Sequence, residues 1–395
     1  NIIIFFYYKV SNATKKIIRT NLYTVLIIIY AFELFLNFIL NNNNDIKHKA
    51  DLLKKRGELF DERKKLEVYD SLIKDFPNAK LYVPPSNNLS LQNIEILPVS
   101  GVSNSKNLYC NENGYWFEFD SDRYGFNNPD EVWNKKQIEY LLLGDSYVMG
   151  ACVNRPFDTA SQIRKMSGKN VINLAMAGNG PLMQYASLRE YVFSNTKNVI
   201  WHYSEANDNF ELATRLKNPI LKKYLDNDNF DQNLKGRIEI IDEMNETLHQ
   251  KEISNQLKDK FREESTKYKI LKFIQLKKIK TLFNFQTPKV SYAAAPPKQF
   301  AKILKMAKYE AEKKGANFYF VYLPRFERYS DDKFSDENYL KIISIVNDLN
   351  INLIDFKVVL ENEKKPMSYF PFGMWGHYNE DGYKLLAKTI IENIN

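Results

Sequence analysis

Short apolar runs at 140–143, 170–174, 198–203, 317–323 and 352–356 alternate with stretches of helical period, and this alternation constrains the chain most. The first run reads YLLLGDSYVMG over 140–150, passing from leucine straight into Gly-Asp-Ser. Runs this short and this apolar suit strands covered on both faces, which means a parallel sheet. Helical patterns at 157–166, 182–193, 299–314, 337–349 and 381–394 lie between and after them. The expected fold class is α/β, a three-layer α/β/α sandwich around a five-stranded parallel sheet. In such sheets ligands bind at the carboxyl ends of the strands.

The segment 210–297 breaks the rhythm. It is rich in Lys, Asn and Glu, shows helical patches and no strand pattern, and is read as a helical insertion. Upstream, residues 22–40 (LYTVLIIIYAFELFLNFIL) include thirteen Leu, Ile, Val or Phe in nineteen. Nineteen residues nearly cross a hydrocarbon core. Each apolar residue favours insertion by roughly 0.3–0.6 kcal/mol, against a cost on the order of 3 kcal/mol for Glu33. The apolar sum prevails, and one transmembrane anchor is expected; an uncleaved signal sequence is physically similar. Lysines and arginines flank both ends of the span and leave its orientation open. The apolar stretch 2–8 is too short to span. Residues 1–21 then form an N-terminal flank, 22–40 the anchor, 41–96 a helical stalk and linker, and 97–395 a single α/β domain carrying the insertion.

Hydrophobic residues make up 44% of the 395, enough for a packed core and against wholesale disorder. The formal net charge of +8 is modest, and much of the excess lies between Lys251 and Lys289. No nucleic-acid-binding signature accompanies it, so a solvated helix face is the expectation and nucleic acid is not an expected partner. Cys110 and Cys152 form no CxxC pair, which argues against zinc. They are either one disulfide, if the domain lies outside the cytoplasm, or two buried thiols.

Four polar clusters follow the strands or precede the last helix. Gly144-Asp145-Ser146 ends the first strand, Gly178-Asn179-Gly180 follows the second, Glu205-Ala206-Asn207-Asp208 follows the third, and Trp375-Gly376-His377-Tyr378-Asn379 precedes the final helix. Taken singly they are a helix cap and ordinary turns. Together, and in this order, they resemble the four blocks of the SGNH, or GDSL-type, hydrolase superfamily. Ser146 matches the nucleophile, Gly178 the glycine (with Gly180 as a rival), Asn207 the asparagine and His377 the histidine. Asn379 and Gly382 fit the spacing after that histidine. The resemblance covers residues 97–395 outside the insertion.

That resemblance implies the SGNH fold and an ester hydrolase. Ser146 would attack the carbonyl, with His377 as base and then acid. The oxyanion would meet the backbone N–H groups of Ser146 and Gly178 and the side-chain amide of Asn207. The family's aspartate three residues before the histidine is absent, because Met374 stands there. Three arrangements fit: a Ser–His dyad oriented by a backbone carbonyl, a substitute acid such as Asp355 or Asp381, or a weakened site. Of the other histidines, His202 is read as a core or rim residue and His249 as solvated. Asp122, Arg123 and Asn127, in the loop before the first strand, are candidate substrate contacts. Tyr369, Phe370, Phe372 and Trp375 are candidates for pocket lining or core.

The resemblance and the anchor together suggest a periplasmic or extracellular domain acting on an acylated envelope or exported glycan, most simply its O-acetyl esters. They also favour a Cys110–Cys152 disulfide and call for no cofactor. An O-acyltransferase using the same serine, or a glycan-binding or assembly protein that keeps the fold, are the alternatives.

Overall fold

The computed structural model of the chain describes residues 11–40, 45–91, 93–282 and 294–394. The apolar stretch at 2–8 lies outside them. The chain divides into two compact units, one built from residues up to 58 with 256–290, the other from 59–255 with 291–395.

In the larger unit, the strands β1 (Lys80–Leu81), β2 (Lys106–Leu108) and β3 (Glu118–Asp120) form a small sheet. The main sheet holds β4 (Ile138–Leu143), β5 (Val171–Asn173), β6 (Thr196–Ser204), β7 (Asn317–Leu323) and β8 (Asn352–Asp355). Its order is β5-β4-β6-β7-β8 and every pairing is parallel. The expected α/β/α sandwich is therefore present, with strand ends within a few residues of the apolar runs. Helices cover both faces. Thr159–Ser167 packs with Glu380–Ile394, and Pro181–Tyr191 packs with Gln299–Lys313. Double coverage explains why Leu141, Leu142, Leu143, Val199, Ile200 and Trp201 are all fully buried, and why the strand sequences show no alternation.

Two stretches of chain are organised as follows. Residues 59–96, read as stalk and linker, belong to the larger unit from Leu59 onward. The helix Lys65–Asp75 buries Leu66, Val68, Tyr69 and Leu72 in a satellite core with Leu81 and Leu108, and β1 pairs with β2. Its charged texture hid a narrow apolar stripe. The insertion also divides. Helices Asp208–Arg215 and Pro219–Asp226 and the first part of Ile238–Glu264 belong to the larger unit, whereas 256–282 belongs to the smaller.

The smaller unit contains the helix Asn12–Leu40, whose stretch Asn12–Asn37 is long and apolar enough to cross a membrane. A signal sequence would satisfy the same length and composition.

Candidate active site

The order of the main sheet fixes where the site lies. The strand β4 sits between β5 and β6, so the crossover from β4 to β5 runs one way across the sheet and that from β5 to β6 the other. The loops after β4, β5 and β6 therefore open on one carboxyl edge, and these loops carry Ser146, Gly178 and Asn207.

The chain turns abruptly after β4. A Cβ on Gly144 would lie 2.4 Å from Val148 Cγ2, so only glycine permits the turn. Asp145 caps the one-turn helix Ser146–Met149, its carboxylate accepting from Tyr147 N–H at 2.9 Å. So short a helix leaves its carbonyls without intrahelical partners, and side chains supply them. Asn173 Nδ2 donates to Val148 O at 2.7 Å and Asn127 Nδ2 to Met149 O at 2.9 Å. Asn127 thus braces the turn that carries Ser146. Its neighbours are structural as well. Asp122 accepts from Tyr124 N–H, Phe126 N–H, Asn128 Nδ2 and Trp133 Nε1, while Arg123 pairs with Asp130.

His377 Nε2 lies 2.8 Å from Ser146 Oγ. On the other side of the ring, Nδ1 lies 3.0 and 3.1 Å from the two carboxylate oxygens of Glu112, and His377 N–H donates to Glu112 Oε2 at 2.6 Å. Glu112 holds the position expected of Asp355 or Asp381. Asp355 instead caps the helix Phe356–Glu361 and accepts from Tyr339 Oη, and Asp381 is exposed in the first turn of the last helix. Burial of the imidazole disfavours its charged form, but the charge and hydrogen bond of Glu112 outweigh this and raise the His377 pKa above its ordinary value. Tyr147 packs on the ring, with centroids 4.8 Å apart.

Sequence reasoning missed Glu112 because it lies 265 residues from His377, on a different sheet. One local signal existed. Gly376 leaves room for the acid, since a Cβ there would sit 2.7 Å from Glu112 Oε2. The loop bearing Glu112 is held on several sides. Cys110 and Cys152 form a disulfide, Asn113 Nδ2 donates to Cys152 O at 3.0 Å, and Tyr115 Oη donates to Glu380 at 2.8 Å. Glu112, Cys152 and His377 place three potential ligand atoms within 4.8 Å of one another. The Cys152 sulfur is already bonded to Cys110, so this trio offers a metal no thiolate.

Gly178 has φ +75°, and a Cβ there would meet Ser86 Oγ at 2.4 Å; its carbonyl accepts from Arg215 Nη2 at 2.6 Å. Gly180 precedes the helix Pro181–Tyr191 as its cap. Asn207 precedes the helix Asp208–Arg215, and its Nδ2 donates to Glu211 Oε1 at 3.1 Å. Burial pushes the Glu211 pKa up to about 8, against the pull of Arg215. Beside Gly178, a cavity of about 490 Å³ is lined by Ser86, Asn87, Thr214, Arg215, Lys251 and neighbours.

The other candidates separate. His202 is buried, donates from Nδ1 to Leu143 O at 2.9 Å, and has its pKa pushed by burial down to about 4, as befits a neutral core histidine. His249 is not solvated. It is buried and accepts Leu81 N–H at 3.0 Å. Phe370 is core, whereas Trp375 is 65% exposed two residues from His377. Asn379 accepts Gly382 N–H at 3.0 Å and starts the last helix, which accounts for the spacing after the histidine.

A hydroxyl, an imidazole and a carboxylate in one hydrogen-bonded line, at the carboxyl edge of a parallel sheet, form the arrangement of serine hydrolases. Among solved structures, the chain is similar to a protein of the G-D-S-L family from Desulfitobacterium hafniense at 13% identity, covering 65% of this chain and all of that one with a TM-score of 0.37. It is also similar to the lipase/acylhydrolase from Enterococcus faecalis at 13% identity, covering 65% of this chain and 95% of that one with a TM-score of 0.35. No protein-family model matches the sequence, and no curated protein matches it.

Proposed function

We propose that this chain is a membrane-anchored serine ester hydrolase of the SGNH type. The observation that carries this reading is the line Ser146 Oγ–His377 Nε2, His377 Nδ1–Glu112. His377 takes the Ser146 proton as the hydroxyl attacks an ester carbonyl, and the resulting imidazolium is stabilised by Glu112. Ser146 N–H, Gly178 N–H and the second amide hydrogen of Asn207 receive the oxyanion; the first is engaged by Glu211. His377 then passes the proton to the departing alkoxide, and water attacks the acyl-enzyme by the same route in reverse.

The natural substrate is read as an O-acyl, most simply O-acetyl, ester of an envelope or exported glycan outside the cytoplasm. The anchor and the disulfide agree with that compartment. The exposed Trp375 ring beside the site offers a face for a sugar.

The test is labelling of the folded chain with a fluorophosphonate, followed by aryl acetate hydrolysis, for the wild type and Ser146→Ala. Labelling and turnover of the wild type alone are expected. An unlabelled wild type, or equal labelling of both, removes Ser146 as nucleophile.

A further inference from the structure

The smaller unit holds a second apolar and basic element beside the membrane helix. Residues 266–282 (TKYKILKFIQLKKIKTL) contain six lysines and no acid. They form the helices Thr266–Ile274 and Lys277–Leu282, and no residue of the first is buried. Ile270, Leu271, Ile274 and Leu282 are 53, 47, 55 and 50% exposed. A segment solvated by water alone would not leave so many large aliphatic side chains uncovered among its lysines.

Its attachment to the span is specific. Glu33, completely buried although it lies within the apolar helix, accepts the backbone N–H groups of Lys278 at 2.9 Å and Ile279 at 2.8 Å. One turn earlier on the same face, Tyr30 Oη donates to Ile274 O at 3.1 Å, and its ring lies 5.5 Å from that of Phe273. Glu33 is seven residues from Leu40, the end of the apolar span, hence about 10 Å along the axis. An interfacial helix lies about 5–10 Å into the headgroup and acyl boundary, so at that depth the carboxylate can be met by the element's backbone donors while its lysines reach up to headgroups.

We propose that residues 266–282 are a second membrane contact, a basic amphipathic element lying in the headgroup layer of an anionic leaflet and pinned to the span through Glu33. The charge pattern fits that partner. Lys267, Lys269, Lys272 and Lys280 reach for phosphates while Ile270, Leu271, Ile274 and Leu282 enter the acyl boundary. The same pattern resolves the cost of Glu33, whose acceptor oxygens are satisfied by the element it holds. This proposal is independent of the hydrolase reading.

The experiment uses the full chain in vesicles of phosphatidylcholine, with and without one third phosphatidylglycerol. Both native cysteines are in the disulfide, so Ile274→Cys can carry a single bimane label, with exposed Tyr309→Cys as the control. A lipid with a spin label below its headgroup should quench position 274 several-fold more than position 309, and more strongly in anionic vesicles. Replacing Lys267, Lys269, Lys272 and Lys280 with glutamine should remove the anionic preference, each lysine near such a surface being worth roughly five-fold. Glu33→Ala should reduce quenching at 274, and Glu33→Gln, which keeps one acceptor oxygen, should restore part of it. Equal quenching at 274 and 309 in both vesicles overturns the proposal. So does protection of the segment from trypsin by single-stranded RNA but not by anionic vesicles, which would assign the lysines to nucleic acid.

Discussion

Glu112 stands beside His377 where the sequence offers only Met374, and in the proposed mechanism the chemistry of His377 depends on it. Burial alone would lower the imidazole pKa, and Glu112 reverses the sign. Because the base must be neutral to accept the Ser146 proton, aryl acetate hydrolysis by the wild type should rise with pH through a value above the ordinary histidine value of about 6.5. In Glu112→Gln only the charge of Asp145 still opposes burial, so the inflection should move to lower pH. The plateau should fall by about 10²–10⁴, the upper figure being the cost of losing the orienting acid in the serine protease triad. A pH–rate profile of the two proteins measures both effects; an unmoved inflection would mean that Glu112 does not act on His377. Gly376→Ala should mimic part of the loss, since its Cβ would come within 2.7 Å of Glu112 Oε2. Trp375→Ala should raise KM for an O-acetylated oligosaccharide while leaving aryl acetate kinetics unchanged, if the ring contacts sugar. Ser146 and His377 were legible because each sits in a local motif. Glu112 has no motif around it, and its partner is distant in the chain.

At the scale of elements, the loop from Cys110 to Glu118 is a separate part fastened to the sheet edge. The disulfide closes a sequence separation of 42 residues and holds the chain two residues from Glu112. Reduction, or a Cys110→Ser/Cys152→Ser pair, should lower stability by about 2–4 kcal/mol in chemical denaturation. It should also reduce kcat more than it changes KM, because the acid is loosened while the substrate surface remains. The loop 121–130 is a second support. Its sequence SDRYGFNNPD signalled order without showing its purpose, which is to place Asn127 under the carbonyl of Met149 and Asn128 against β5. The strands and main helices were readable because a doubly covered parallel sheet needs uninterrupted apolar runs. The helix at 65–75 was not, because its apolar stripe is narrow and its partners come from β1 and β2.

For the whole molecule, the larger and the smaller unit are each assembled from two separated stretches of chain. An alkaline carbonate wash should leave the full chain with the membrane, and detergent should release it; recovery in the carbonate supernatant would refute the span. The sequence by itself determined the alternation of strands and helices, the apolar span and the four local blocks, because those depend on periodicity and on neighbours within a few residues. Only the tertiary structure decided that Glu112 meets His377, that residues 59–96 join the larger unit, and that Glu33 has partners at 278 and 279. Those choices depend on which distant segments meet, and hydrogen bonds closed across 245 or 265 residues leave no periodic trace in the chain.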